Sequence, residues 1–315
     1  MNEPDIMVYL MTGFLDSGKT QFLTFTLKQD YFQIDGKTLL ILCEEGEEEY
    51  DPMEMLKYGV VIEKVEDQED LTAEWLEEMN RKHEPERVVV EYNGMWKVSD
   101  FENLELPDGW GIEQKITTVD ASTFQTYLTN LKPLFVEMVR GADMVLFNRC
   151  EDIKPLAGYR RSVKVVSPQA EVIFEDEQGE IENIFEDEVP YDLKAPVVEI
   201  AKEDYGIWYV DMMENPDRYK GKVVEYTAKV LKPRTFPAKV FMAGRMAMTC
   251  CADDVSFLGY VCRSAYAPKL KPGQWVKIRA KIRFANLSVY RGEGPVLEAE
   301  HIELAEPVDE LVYFN

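Results

Sequence analysis

Short apolar runs alternate with longer stretches of mixed polarity through the first half of the chain. The runs at residues 6–12, 37–43, 87–92, 115–121, 143–148 and 170–175 are dense in Val, Ile, Leu and Phe and too short for helices, so they predict strands. Between them, residues 69–82 set Leu71, Trp75, Leu76 and Met79 on one side of a helix, and residues 121–140 predict another helix, interrupted near Pro133. Near-continuous apolar strands separated by helices bury both of their faces. The pattern predicts an α/β unit with a mainly parallel sheet.

From residue 195 the texture changes. Runs at 223–231, 239–250, 256–262, 274–284 and 295–304 follow one another through turn signals without helical crossovers, after one helix candidate at 207–214. They predict a small antiparallel β-barrel of the oligonucleotide/oligosaccharide-binding (OB-like) type. In the run 274–284, Val276, Ile278, Ala280 and Ile282 alternate with Lys277, Arg279, Lys281 and Arg283, giving one apolar face and one basic face. Solvent, an anionic membrane surface, nucleic acid or the acidic part of this chain are open as neighbours of that face. No aromatic residue interleaves with the basic positions, so stacking on bases has little support.

Charge sharpens the division. Through residue 195 there are 18 Lys and Arg against 43 Asp and Glu, whereas the remainder holds 17 against 16. The formal net charge of −24 therefore belongs to the first part, which repels polyanions and makes nucleic acid an unfavourable partner for it. The step falls near Lys194-Ala195-Pro196 and predicts domains at residues 1–190 and 195–315. Five cysteines, dispersed except for adjacent Cys250 and Cys251, argue against a disulfide framework. With no basic leader and no bilayer-spanning apolar run, the expectation is a cytoplasmic protein.

The strongest chemical signal is Gly13-Phe14-Leu15-Asp16-Ser17-Gly18-Lys19-Thr20, which fits G-x-x-x-x-G-K-[ST] between an apolar strand and a helix start. That spacing predicts a P-loop. Backbone N–H groups from Asp16 to Lys19, with Gly13, Ser17 and Gly18 shaping the turn, would face phosphate oxygens. Lys19 would reach the β- and γ-phosphates, and the Thr20 hydroxyl would ligate Mg²⁺.

Here the chain resembles the CobW/HypB/UreG group of metal-handling GTPases, particularly its CobW-like branch, over most of residues 5–175. Four further segments carry the resemblance in order. Glu44-Glu45-Gly46-Glu47, with Asp51 beyond, looks like the first switch segment. Glu91-Tyr92-Asn93-Gly94 looks like the Glu-x-x-Gly second switch, Thr118-Val119-Asp120-Ala121 is similar to a strand end common in the family, and Asn148-Arg149-Cys150-Glu151 falls where a guanine-reading Asn-Lys-x-Asp would be. The resemblance implies GTP and Mg²⁺ as ligands. Asn148 and Glu151 would recognise the base, Arg149 would stack where Lys usually lies, Glu91 would hold Mg²⁺ through water, and Gly94 would sense the γ-phosphate. A solvated strand end is the other reading of Glu91.

Three departures qualify the resemblance. Asp16 stands where the family commonly has Gly, Glu151 with Asp152 beside it replaces Asp, and Tyr58-Gly59-Val60-Val61-Ile62-Glu63 lacks the expected Cys-x-Cys-Cys metal motif. The acid run 44–51 has two readings, a hard-cation site or a solvated face.

In the second part, Cys250, Cys251 and Cys262 form the one soft-ligand cluster, open to a transition metal such as Zn²⁺ or to burial as structural thiols. Arg245, Thr249, Cys250, Cys251 and Asp254 match an Arg-x-x-x-Thr-Cys-Cys-x-x-Asp pattern. That pattern resembles the tail domain of predicted permease-associated bacterial proteins. The expected function is a GTPase coupling Mg²⁺-GTP turnover to metal trafficking or assembly of a client protein. A non-hydrolysing nucleotide-binding regulatory subunit of a membrane transporter, with a membrane permease as partner, and an ATP-dependent kinase are the alternatives.

Overall fold

Two strands buried along their whole length lie side by side within an eight-stranded sheet. A computed structural model describes residues 4–151, 153, 156–181, 189–248, 255–290, 292–308 and 311–312. The chain divides into two compact units, Met1–Ile184 and Phe185–Asn315.

The first unit runs β1 (Ile6–Thr12), α1 (Lys19–Leu27), β2 (Thr38–Leu42), α2 (Pro52–Leu56), β3 (Val60–Lys64), α3 (Ala73–His83), β4 (Arg87–Glu91) and α4 (Val98–Glu102). It continues through β5 (Trp110–Asp120), α5 (Phe124–Asn130), α6 (Lys132–Val139), β6 (Met144–Asn148), α7 (Leu156–Lys164), β7 (Glu171–Asp176) and β8 (Gly179–Glu180). Strand order is β3-β2-β4-β1-β5-β6-β7-β8, parallel throughout except for β7 with β8. Alternate residues feed two cores. Val8, Leu10, Leu39, Ile41, Val88 and Val90 pack on one face, and Met11, Leu40, Leu42 and Val89 on the other, which is why these strands read as continuous apolar runs.

Local chemistry sets the helix ends. Thr72 caps α3 by accepting from the Trp75 N–H, and Leu76 and Met79 are its buried residues. The helix expected at 121–140 with an interruption near Pro133 is two helices, α5 and α6. Pro133 lacks an N–H and sits in the first turn of α6, so the chain breaks at Leu131. Strand β3 was outside the predicted set, because Val60–Lys64 is a short, half-buried edge strand.

The second unit contains β9 (Val198–Glu199), α8 (Tyr205–Glu214), α9 (Pro216–Tyr219), β10 (Val223–Leu231), β11 (Val240–Met248), β12 (Val255–Arg263), β13 (Trp275–Leu287) and β14 (Gly292–Leu304). Its sheet order is β11-β12-β14-β13-β10-β9, and β10 also pairs with β11. The sheet is antiparallel-rich but not purely antiparallel. Strands β12 and β14 run parallel, as do β9 and β10, which corrects the all-antiparallel expectation. Tyr205 and Trp208 of α8 pack with Tyr226 and Tyr260 in an aromatic core. The Tyr205 hydroxyl donates to Leu258 O at 2.9 Å and the Tyr226 hydroxyl to Ala243 O at 3.2 Å, so the buried phenols are satisfied.

The segment at the charge step is built into this unit. Tyr191 OH meets Tyr219 OH at 2.7 Å, and Lys222 Nζ donates to Leu193 O at 2.8 Å. The unit division therefore falls ahead of the change in composition. Among the described residues no helix is long and apolar enough to cross a membrane.

Candidate functional site

The carboxyl ends of β1, β2, β4, β5 and β6 bring Gly13, Cys43, Glu91, Asp120 and Asn148 to one edge of the sheet. Strand β1 lies between β4 and β5, so the loop leaving it opens where an α/β sheet takes its ligand. Residues 13–20 fill that position.

Backbone geometry explains the glycines. Gly13 has φ 145° and Gly18 φ 92°, both in the left-handed range. A Cβ on Gly13 would meet Thr118 O at 2.5 Å, and one on Gly18 would meet Asn148 Nδ2 at 2.5 Å. Asp16 also has a positive φ, 58°, a conformation that Asp tolerates better than most residues and Gly better still. Its carboxylate Oδ1 accepts from the Glu47 N–H at 3.3 Å, tying the loop to the first switch segment. No side chain caps α1, and its first N–H groups have no intrahelical partner.

Lys19 is 3% exposed and all three of its ammonium donors are occupied. Nζ donates to Gly13 O and Phe14 O at 3.0 Å each and to Glu44 Oε2 at 2.5 Å. Burying both charges carries a large desolvation cost, offset here by complete hydrogen bonding of the cation. The second Glu44 oxygen accepts from the Gly94 N–H at 3.3 Å. Gly94 itself lies against the loop, where a Cβ would come within 2.4 Å of Gly13 O.

Beside this pair, Thr20 Oγ1 donates to Glu91 Oε1 at 2.8 Å, and the Tyr50 hydroxyl donates to Glu91 Oε2. Glu91 is 2% exposed. Burial pushes its carboxyl above the usual range, against the hydrogen bonds from Tyr50 and Thr20 and the charge of Lys19. Burial and the same carboxylate raise the Tyr50 phenol. The solvated-strand-end reading of Glu91 is thus overturned.

At the end of β6, Asn148 Nδ2 donates to Ser17 O at 2.8 Å. Arg149, at φ 52°, donates to Asp16 O at 2.9 Å and to Asp120 Oδ2 at 2.6 Å. Burial pushes the Asp120 carboxyl up, but bonds from Ser122 and Arg149 outweigh it and hold the group below its ordinary value. Glu151 is turned elsewhere. Its Oε1 accepts from the Glu177 N–H at 2.8 Å, and Asp152 lies outside the described residues.

The acid run is divided among separate tasks. Glu44 pairs with Lys19, Glu45 with Lys64, and Asp51 caps α2 by accepting from the Met53 and Glu54 N–H groups. Among the described residues no group of three or more His, Cys, Asp or Glu side chains is placed to hold a metal. Cys250, Cys251, Thr249 and Asp254 lie outside the described residues. Cys262 is fully buried in β12, and burial pushes its thiol up, which disfavours the thiolate a metal needs. Periodicity missed Glu44 on Lys19 and Tyr50 on Glu91; both sit in a charged stretch without local pattern.

The basic strand face is partly neutralised by carboxylates on the neighbouring strands. Lys277 and Arg279 both reach Glu225 of β10, at 2.6 and 2.8 Å, and Arg283 reaches Glu298 of β14 at 3.4 Å. The Lys277 hydrogen bond, then that of Arg279, holds the Glu225 carboxyl below its usual range against burial.

The family profile described as CobW/HypB/UreG, nucleotide-binding domain, matches residues 7–174, more than half of the chain. The chain belongs to the CobW/HypB/UreG family. Residues 177–314 of this family member match the profile described as DUF1980 C-terminal domain. A search of curated proteins finds no match. Among solved structures, the Zn(II)-bound YjiA GTPase from E. coli is similar at 19% identity over 82% of this chain and 89% of that one, with a TM-score of 0.43. Hydrogenase maturation factor HypB from Archaeoglobus fulgidus is similar at 17% identity over 55% and 83%, with a TM-score of 0.39. HypB from Helicobacter pylori in complex with nickel is similar at 12% over 55% and 80%, with a TM-score of 0.35.

Proposed function

We propose that the first unit binds GTP with Mg²⁺, hydrolyses it, and uses the cycle to drive metal delivery to a client protein or assembly of that client. The observation that carries the reading is the convergence of the Lys19 ammonium, the uncapped start of α1, the Thr20 hydroxyl, Glu91 and the Gly94 N–H at one sheet edge. Thr20 and Glu91 present oxygen donors 2.8 Å apart, a set suited to a hard cation. Thr20 would hold Mg²⁺ with Glu91 behind it, and the ion would neutralise charge on the phosphates. Lys19 and the α1 N–H groups would clamp the phosphate chain; Asn148 holds the loop from the base side. Arg149 would lie along the base, with Asp120 fixing its orientation. Glu151 as guanine reader requires it to leave the Glu177 N–H.

A second reading, binding without turnover, is supported by Asp16, whose carboxylate borders the phosphate cleft. For the second unit, pairings that return from β10 through β11, β12, β14 and β13 to β10 support an OB-like five-stranded barrel. A permease or other client would be its partner. The free thiols Cys43, Cys150 and Cys262 suit a cytoplasmic setting. Calorimetric titration of the whole chain with Mg²⁺-GTP, GDP and ATP, followed by phosphate release, tests the reading. Binding of GTP above ATP with multiple turnovers is expected; tighter ATP binding would indicate a kinase, and GTP binding without release the regulatory alternative.

A further inference from the structure

The buried Lys19 ammonium is paired with an anion from within the chain. The Glu44 carboxylate spans two donors. Oε2 is 2.5 Å from Lys19 Nζ, and Oε1 accepts from the Gly94 N–H at 3.3 Å. Neither donor is free to move aside. Lys19 is pinned by Gly13 O and Phe14 O, and Gly94 is wedged so close to Gly13 that no side chain fits between them. A lysine ammonium and a backbone N–H facing each other across a P-loop mouth make a seat for one terminal anionic group, and the Glu44 side chain, 10% exposed, fills it.

We propose that Glu44 is a specificity-determining residue that sets the preference between nucleoside diphosphate and triphosphate, because its carboxylate occupies the seat of the terminal phosphoryl group. The proposal rests on the nucleotide reading above and deepens it. A diphosphate reaches the α1 N–H groups and the Lys19 ammonium but ends short of the Gly94 N–H, so Glu44 can keep that second contact while it enters. A triphosphate brings a second anion to the same two donors, and like charges cannot share them, so Glu44 must leave. Its departure frees the near end of the first switch segment, whose far end remains on Glu91 through the Tyr50 hydroxyl. The γ-phosphoryl group is then read as displacement of a carboxylate. A triphosphate shifts this equilibrium only by its excess affinity for the released state.

The test is calorimetric titration of the whole chain with Mg²⁺-GDP and with a Mg²⁺ complex of a non-hydrolysable GTP analogue, for the unsubstituted protein, Glu44→Gln and Glu44→Ala. Circular dichroism checks that each remains folded. Both variants are expected to bind the triphosphate about tenfold more tightly while diphosphate affinity moves by less than about twofold, the scale of one charge-assisted contact. Hydrogen exchange in the unsubstituted protein should rise across residues 44–49 with triphosphate and not with diphosphate. Equal shifts for the two nucleotides, a selective loss of triphosphate binding, or exchange unchanged by triphosphate would overturn the proposal. If the folded, unsubstituted protein binds neither nucleotide, the nucleotide reading falls first and takes the proposal with it.

Discussion

The two units handle charge in opposite ways. In the first, Lys19, Glu44 and Glu91 are buried and converge on one cleft, so each desolvated charge is held by groups that a ligand can replace. In the second, the buried volume goes to Trp208, Tyr205, Tyr226 and Tyr260, and the buried charges are held within the fold, Glu225 by Lys277 and Arg279 of the neighbouring strand and Arg245 by Lys202 O. A buried charge is costly unless partnered, whereas an exposed pair contributes little. The location of buried charge, more than the total of −24, separates a binding site from a solvated face.

The comparison can be broken at its tightest contacts. Gly244→Ala would drive a Cβ to within 2.0 Å of Leu258 O between β11 and β12, and should destabilise the protein by about 3 kcal/mol in denaturant unfolding. Nucleotide affinity should be unchanged, since each unit has its own core. Gly94→Ala, at 2.4 Å from Gly13 O, should instead displace the loop and lower nucleotide affinity. If both substitutions affect nucleotide binding equally, the separation of roles between units is wrong.

Lys19→Ala removes the buried cation and leaves Glu44 unpaired. Nucleotide affinity should fall by tens-fold, on the order of 2–3 kcal/mol, in calorimetric titration of a folded variant. An unchanged affinity would refute the phosphate clamp.

Glu91 and Glu225 should give opposite pH slopes. Burial raises the Glu91 carboxyl, so the native state holds that proton more tightly than the unfolded chain. Its stabilising contribution is greatest below about pH 4.3 and is lost as pH rises through the raised folded value. Glu225 is held low by Lys277 and Arg279, so its contribution is present above about pH 4.3 and disappears as pH falls through the lowered value. In unfolding measured across the acid range, Glu91→Gln should remove a negative slope and Glu225→Gln a positive one. The same sign for both would contradict the assignment.

The smallest effect is expected at Arg283, an exposed partner of Glu298. Arg283→Ala should cost no more than about 0.5 kcal/mol, a difference that fades at high salt, with no change in nucleotide binding.

Much of the architecture was legible in the pattern of residues. Buried parallel strands announce themselves as runs of Val, Ile and Leu because both faces are covered, and β2 and β4 do so. Short edge pieces such as β3 and β8 lack that signal. Basic alternation along β13 was legible too, but the charge facing it was not, because Glu225 and Glu298 arrive from neighbouring strands.

By itself the sequence determined the phosphate-binding loop, since eight consecutive residues between a strand and a helix carry both its conformation and its chemistry. Its composition likewise placed the acidity in the first part of the chain. Only the tertiary structure decided which carboxylates matter. Glu44 is 25 residues from Lys19 and Tyr50 is 41 from Glu91, and no local periodicity links such pairs. They meet because parallel strands β1, β2 and β4 end at the same edge of one sheet, and strand order is a property of long-range packing, set by which apolar faces are buried together.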